Sequence, residues 1–133
     1  MRLYTFVNYY LSSIQQGIQS AHIVGELSRL NDPMYREWAS THKTIIVCNG
    51  GNNSDLYRLY AFFQTTSEYP WAMFAEDTAS LNGTLTGIGI IIPEFICVEI
   101  DSFRKAGLGG SRVELTKQDK ALATKIASMS LAR

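Results

Sequence analysis

With 133 residues, 46% of them hydrophobic and 18% charged, the chain is long enough for one substantial core and too short for two. Twelve basic and twelve acidic residues cancel, which excludes a general electrostatic binder of nucleic acid and confines any RNA contact to a local patch. No apolar run approaches the roughly 20 residues that span a bilayer and the N-terminus lacks the layout of a signal peptide, so the expectation is a cytoplasmic protein with no membrane partner.

Residues 3–7 (LYTFV) read as a strand, and residues 8–26 (NYYLSSIQQGIQSAHIVGE) as the corner and helix that follow it. Such a strand-to-helix corner is where open α/β sheets usually place ligands. Ser12 with Gln15, or Ser13 with Gln16, has capping-box spacing, which starts the helix near Ser13. At about 100° per residue, Gln15, Gln19, His22 and Glu26 share one polar seam. Ile14, Ile18 and Ala21 flank it on one side, and Ile23, Leu27 and Leu30 on the other. The spacing predicts either a helix packed on both flanks with its polar groups satisfied internally, or a seam that faces a ligand.

Asn31-Asp32-Pro33 stops this helix and admits a brief second one over residues 34–39, carrying Tyr35 and Trp38. Residues 43–48 (KTIIVC) form a strand by their β-branched content. Residues 49–53 (NGGNN) form a turn whose backbone amides could meet an anion, although a plain turn is the simpler role. Asn53 or Ser54 caps the next helix, where Leu56, Leu59, Tyr60 and Phe63 have helical spacing.

Pro70 closes that unit. Trp71–Ala75 is a strand, residues 76–83 a loop, and residues 84–92 (TLTGIGIII) another strand. Residues 95–100 (FICVEI) continue that strand past Pro93 or begin a new one. Residues 105–110 (KAGLGG), between Arg104 and Arg112, form the most flexible stretch. Thr116 and Asp119 look like a cap pair, and Leu122, Ile126 and Met129 give a final helix its apolar stripe opposite Lys117, Lys120 and Lys125. Cys48 and Cys97 lie outside any CxxC or Cys/His ligand spacing, which argues against a structural zinc. Reduced, strand-buried thiols are expected, a disulfide stays open, and the pattern calls for no metal and no cofactor.

Alternating strands and helices predict an α/β fold of three layers: a mostly parallel sheet of four to five strands with helices on both faces. The chain reads as a single domain, with a core over residues 1–93 and an extension over residues 94–133.

Residues 2–93 resemble the type II peptidyl-tRNA hydrolases. That family has a strand, a lysine- and glycine-rich loop, and a helix with Gln and His three residues apart, as Gln19 and His22 are here. Asn8 falls where the family has an Asp. The string YPWAMFAED…NGTLTGIGIIIP resembles the family's strand, Asp-containing loop and Gly-Thr-x-Thr strand, matched by Gly83, Thr84 and Thr86, with Asp77 as the nearest loop aspartate. The resemblance implies a peptidyl-tRNA hydrolase II-like fold, a homodimer, and a site that would meet the 3′ end of a tRNA.

Departures fall where the chemistry would be. Tyr10, Ser13 and Gln15 stand where the family has lysines, and Gln15 occupies the position of the catalytic one. An amide carries no charge and assists no proton transfer. If the chain is a hydrolase, His22 would be the base, Asp77 its orienting carboxylate and Thr86, with Thr84, the holder of the water. Cations would then come from Arg2, Lys43, Arg58, or Arg104 and Arg112.

The preferred expectation is a non-catalytic binding protein that holds a small nucleotide or nucleotide-derived ligand. Its candidate ligand residues are Asn8, Tyr9, Tyr10, Ser13, Gln15, Gln19, His22, Thr84, Thr86, Arg104 and Arg112. Tyr9 and Tyr10 would stack on a base, in a sequestering or sensing module of the sort a phage could encode. The alternatives are a diverged peptidyl-tRNA hydrolase and a structural homo-oligomer without a ligand.

Overall fold

A computed structural model describes residues 1–76, 84–106 and 114–132. Its elements in chain order are β1 (Arg2–Val7), α1 (Ser13–Ser28), α2 (Pro33–Glu37), a π-helical turn (Trp38–His42), β2 (Ile45–Asn49), α3 (Asn53–Thr66), β3 (Trp71–Ala75), β4 (Leu85–Ile92), α4 (Glu94–Ala106) and α5 (Lys117–Ala127). The four strands lie in the order β2-β1-β4-β3. β1 is parallel to β2, while β4 is antiparallel to both β1 and β3. The expected mostly parallel sheet is therefore corrected: two of the three pairings are antiparallel. Alternation of strands and helices implies parallel pairing only between strands joined by a crossover, as β1 and β2 are through α1 and α2; β4 pairs with β1 across the intervening β2, α3 and β3 and takes the opposite direction.

β1 alternates between two faces. Leu3 packs with Ile23 and Leu27 of α1, with Trp38 and with Ile91. Tyr4 and Phe6 pack with Leu56, Leu59 and Phe63 of α3, with Ile96, Cys97 and Ile100 of α4, and with Leu122, Ala123 and Ile126 of α5. Helices thus cover both faces, which completes the three layers. On the α1 side the approach is close at Gly89, where an added Cβ would run into Ile23. Thr5, fully buried, shares a hydrogen bond with Ser20 of α1 (Oγ–Oγ 2.9 Å), so the buried hydroxyls satisfy each other.

The stretch over residues 95–100 is helical, contrary to the strand expected. Pro93 ends β4, and the Pro93 carbonyl accepts from the Ile96 and Cys97 amides. Ile96, Cys97 and Ile100 then fall on one helical face, all buried. Glu94 in the first turn and Arg104 with Lys105 in the last complement the helix dipole. Cys97 is accordingly a helix thiol, whereas Cys48 lies in β2; both are free and buried. Of the expected glycine-rich loop, residues 107–110 and the neighbouring Arg112 lie outside the described residues, as does Arg133.

The C-terminal segment is tied to the rest of the fold by several polar contacts among the described residues. Arg2 forms a bidentate pair with Asp101 of α4, both contacts 2.8 Å. Tyr69, just ahead of β3, donates to Asp119 of α5 at 2.9 Å. Past α5, the Asn49 amide donates to the Ser130 carbonyl and the Ala132 amide to the Val47 carbonyl, with Leu131 bridged antiparallel to Cys48. That strap covers the outer edge of β2, which would otherwise present unpaired backbone groups. No helix among the described residues is long and apolar enough to cross a membrane.

Two outcomes are expected. Burial pushes the Cys97 thiol from 9.0 up to about 11, and the Cys48 thiol is also raised by burial despite the opposing Arg104 guanidinium. Thiols held neutral in the fold lose ground to an unfolded chain that ionises first, so the melting temperature should fall as pH rises from about 9 towards 11. At pH 8 both thiols should react with a disulfide reagent only at the rate of unfolding, and prompt modification of either would contradict this. Separately, Gly89→Ala should destabilise by about 1–3 kcal/mol through overpacking against Ile23, read by urea denaturation.

Candidate functional site

β1 leads into α1 on one face of the sheet, and its neighbour β2 leads into α3 on the other. The chain therefore diverges between β1 and β2, and the crevice outside their carboxyl ends is the place where open α/β sheets offer room to a ligand. Two backbone hydrogen bonds tie the loops there. The Gly50 amide donates to the Val7 carbonyl at 2.8 Å and the Tyr9 amide to the Gly51 carbonyl at 3.0 Å. Gly51 has φ +80°, and a Cβ there would collide with the Asp55 carboxylate, so the turn requires glycine.

The residues at the start of α1 divide by role. Ser12 is the cap: its hydroxyl accepts from the Gln15 amide, and the Gln15 side chain accepts from the Ser12 amide at 3.1 Å. Of the two spacings legible in the sequence, Ser12 with Gln15 is the one used. Ser13 is the first helical residue and is exposed. Gln16 is 7% exposed, and its Nε2 donates to the Leu11 carbonyl at 3.1 Å. For α3 the cap is Asn52, paired with Asp55, one residue ahead of the expected start.

Along the seam, Gln19 is the hub. Its Nε2 donates to Glu76 at 2.7 Å, and its Oε1 accepts from the Thr86 hydroxyl at 3.0 Å. Thr86 reaches it because β4 carries an extra residue: Ala75 pairs with Leu85 and Phe74 with Gly87, leaving Thr86 in the irregularity beside the Phe74 carbonyl. The Thr84 carbonyl accepts from the Glu76 amide at 3.0 Å. Glu76, rather than a residue singled out in the sequence, is the carboxylate found on Gln19. Its signal was its place at the end of a strand, next to Asp77. Asp77 and Gly83 lie outside the described residues.

His22 is exposed and lies flat on Phe74, ring centroids 4.1 Å apart and planes 3° from parallel. Only one flank of the seam is packed. Ile23 and Leu27 are fully buried, whereas Ile14 is 78% and Ile18 49% exposed, so the expectation of two packed flanks is corrected. The helix lies on the sheet by one face, and the other flank has no element above it among the described residues.

At the corner, Asn8 is nearly buried. Its Oδ1 accepts from the Tyr10 amide, and its own amide donates to the Thr86 carbonyl. The Tyr9 and Tyr10 rings sit 4.0 Å apart and are 46% and 75% exposed. Of the cations considered, Arg2 and Lys43 lie at the opposite end of the sheet, beside the first residues of β1 and β2. Arg104 donates to the Ile126 and Met129 carbonyls at 3.3 and 3.0 Å, closing the C-terminal end of α5. Arg58 pairs with Asp55 at 2.8 Å.

A crevice of about 670 Å³ opens beside this corner, lined by Tyr9, Gln16, Asn49, Ser130, Leu131 and Ala132. A shallower depression of about 290 Å³ adjoins it, sharing Asn49 and Ser130 and adding Asp55, Arg58 and Lys125. A third, open groove of about 450 Å³ runs between Phe62 and the lysine side of α5, away from the corner. Gln16 and Asn49 were not singled out in the sequence as site residues. Gln16 was legible only as half of an unused capping box.

Among the described residues no group of three or more His, Cys, Asp and Glu could hold a metal ion. Compared with known proteins, the sequence matches no family model and no curated protein.

The Gln19 hub makes a stability prediction. Thr86→Val keeps the shape and removes the hydroxyl that Gln19 accepts from, which should cost about 1–3 kcal/mol by urea denaturation. An unchanged midpoint would mean that water substitutes freely for the hydroxyl.

Proposed function

We propose that this chain is a non-catalytic binding protein for a small nucleotide or nucleotide-derived ligand, acting at the end of the sheet where β1 meets α1. The observation that carries this reading is the position of Gln15. Where the resembled hydrolases have their catalytic lysine, the Gln15 side chain accepts the Ser12 amide and closes the helix start. That position carries no charge and is taken up by the fold.

The surroundings support the same reading. Ester hydrolysis needs an activated water and charge aimed at a developing oxyanion. The Glu76 carboxylate is taken by the Gln19 amide, and the His22 ring rests on Phe74. Among the described residues Gln19 and Thr86 bond to each other, to Glu76 and to the Phe74 carbonyl, and to no Lys or Arg. What the corner offers is two exposed tyrosine rings and side-chain amides, which suit a ligand with an aromatic face and a hydrogen-bonding edge. Sequestering or sensing such a ligand requires no turnover.

Single-turnover incubation of peptidyl-tRNA with the protein in excess should give no cleavage above a blank, and His22→Ala should behave identically. A nucleotide panel in a thermal-melt assay should contain at least one compound that raises the melting temperature. Cleavage that disappears in His22→Ala would replace this reading with that of a diverged peptidyl-tRNA hydrolase.

A further inference from the structure

The seam that drew attention in the sequence is largely satisfied within the protein, whereas the crevice beside it is not. Gln16 is more than nine-tenths buried and lines that crevice. Its Nε2 is spent on the Leu11 carbonyl, and its Oε1 takes no donor among the described residues. Asn49 is the complement. Its Oδ1 accepts the Gly51 amide at 2.8 Å, and its Nδ2 has no acceptor among the described residues. No buried side-chain polar atom among the described residues lacks a partner, so these two amide ends are open to solvent in the crevice, where a ligand edge that carries a donor and an acceptor would pair both.

Resting on the nucleotide-binding reading above, we infer that this crevice seats the base of a nucleotide, with its phosphate in the adjoining depression against Lys125 and Arg58. Among the described residues no charged side chain lines the crevice, which suits a neutral ring. Its volume of about 670 Å³ lies within the roughly 300–1,000 Å³ of small-molecule sites. Gln16 and Asn49 present one acceptor and one donor, as base edges do in reverse. Tyr9, half-exposed on the rim, supplies a ring to stack on.

The adjoining depression differs in charge. Asp55 lines it, but its carboxylate is met by Arg58 at 2.8 Å. Lys125 has no ion-pair partner among the described residues, so the depression carries one positive charge in excess. Asn49 and Ser130 belong to both hollows, which makes them neighbours along one path, as base and phosphate are in one molecule. The C-terminal strap gives this site its outer wall through Ser130, Leu131 and Ala132.

Titration calorimetry on the full chain tests the inference, with the four ribonucleoside 5′-monophosphates, their nucleosides and inorganic phosphate as probes. At least one monophosphate should bind more tightly than its nucleoside. Gln16→Leu should weaken both by tenfold or more, and Tyr9→Ala, at an exposed ring that the fold does not need, should weaken both several-fold. Lys125→Ala should bring the monophosphate down to the level of the nucleoside, while Lys117→Ala, on the same helix, leaves it unchanged. Binding that survives all three site variants and is lost in His22→Ala would overturn the inference and leave the nucleotide-binding reading standing. Absence of binding by every probe would overturn both.

Discussion

Everything in this molecule hangs on the double pairing of β1. Its backbone is hydrogen-bonded to β2 on one side and β4 on the other, and its residues from Leu3 to Val7 are buried on both faces. A strand in that position leaves no freedom of register, because a slip of one residue would exchange Leu3 and Thr5 for Tyr4 and Phe6 between two differently shaped layers. The Thr5–Ser20 hydrogen bond makes the choice sharper, since a buried hydroxyl in the wrong layer would lose its partner. The position of the corner after Val7, and so of Asn8, Tyr9 and the start of α1, follows from that pairing.

The corner holds two kinds of polar group, and the difference between them guides the functional reading. Gln19, Thr86 and Glu76 bond to one another. Groups paired inside a protein have little further affinity to give a ligand, because displacing their partners costs about what the new bond returns. Gln16 and Asn49 are half satisfied, each with one end of its amide held by the backbone and the other open to the crevice. An amide anchored at one end is also pre-oriented, which lowers the ordering cost of binding.

The last forty residues are part of the same construction. α4 and α5 close the layer that α3 begins, so the core around Phe6 and Phe63 also draws on Ile96, Ile100, Leu122 and Ile126. The strap over residues 130–132 then pairs with β2 and protects the exposed edge of the sheet. Arg104 holds the end of α5 through the Ile126 and Met129 carbonyls, just ahead of that strap. This cation, which reads in the sequence as a ligand contact, has its guanidinium on the Ile126 and Met129 carbonyls that precede the wall of the crevice.

The sequence by itself determined the elements whose cause is local. β1, β2 and β3 follow from β-branched and aromatic runs, α1 from the capping spacing of Ser12 and Gln15, and α5 from Thr116 with the stripe of Leu122 and Ile126. Local reading failed at residues 95–100, where β-branched content suggested a strand and burial of Ile96, Cys97 and Ile100 against the core made a helix. It misjudged the direction of β4: the order of strands and helices suggested a mostly parallel sheet, whereas β4 runs antiparallel to both its neighbours. Only the tertiary structure decided which flank of α1 is covered, that Gln19 meets Glu76 and Thr86 from 57 and 67 residues away, and that Gln16, Asn49 and Ser130 share one crevice. A side chain's periodicity is set by neighbours within four residues, while its partners are set by how distant segments pack, and the candidate site is made of the latter.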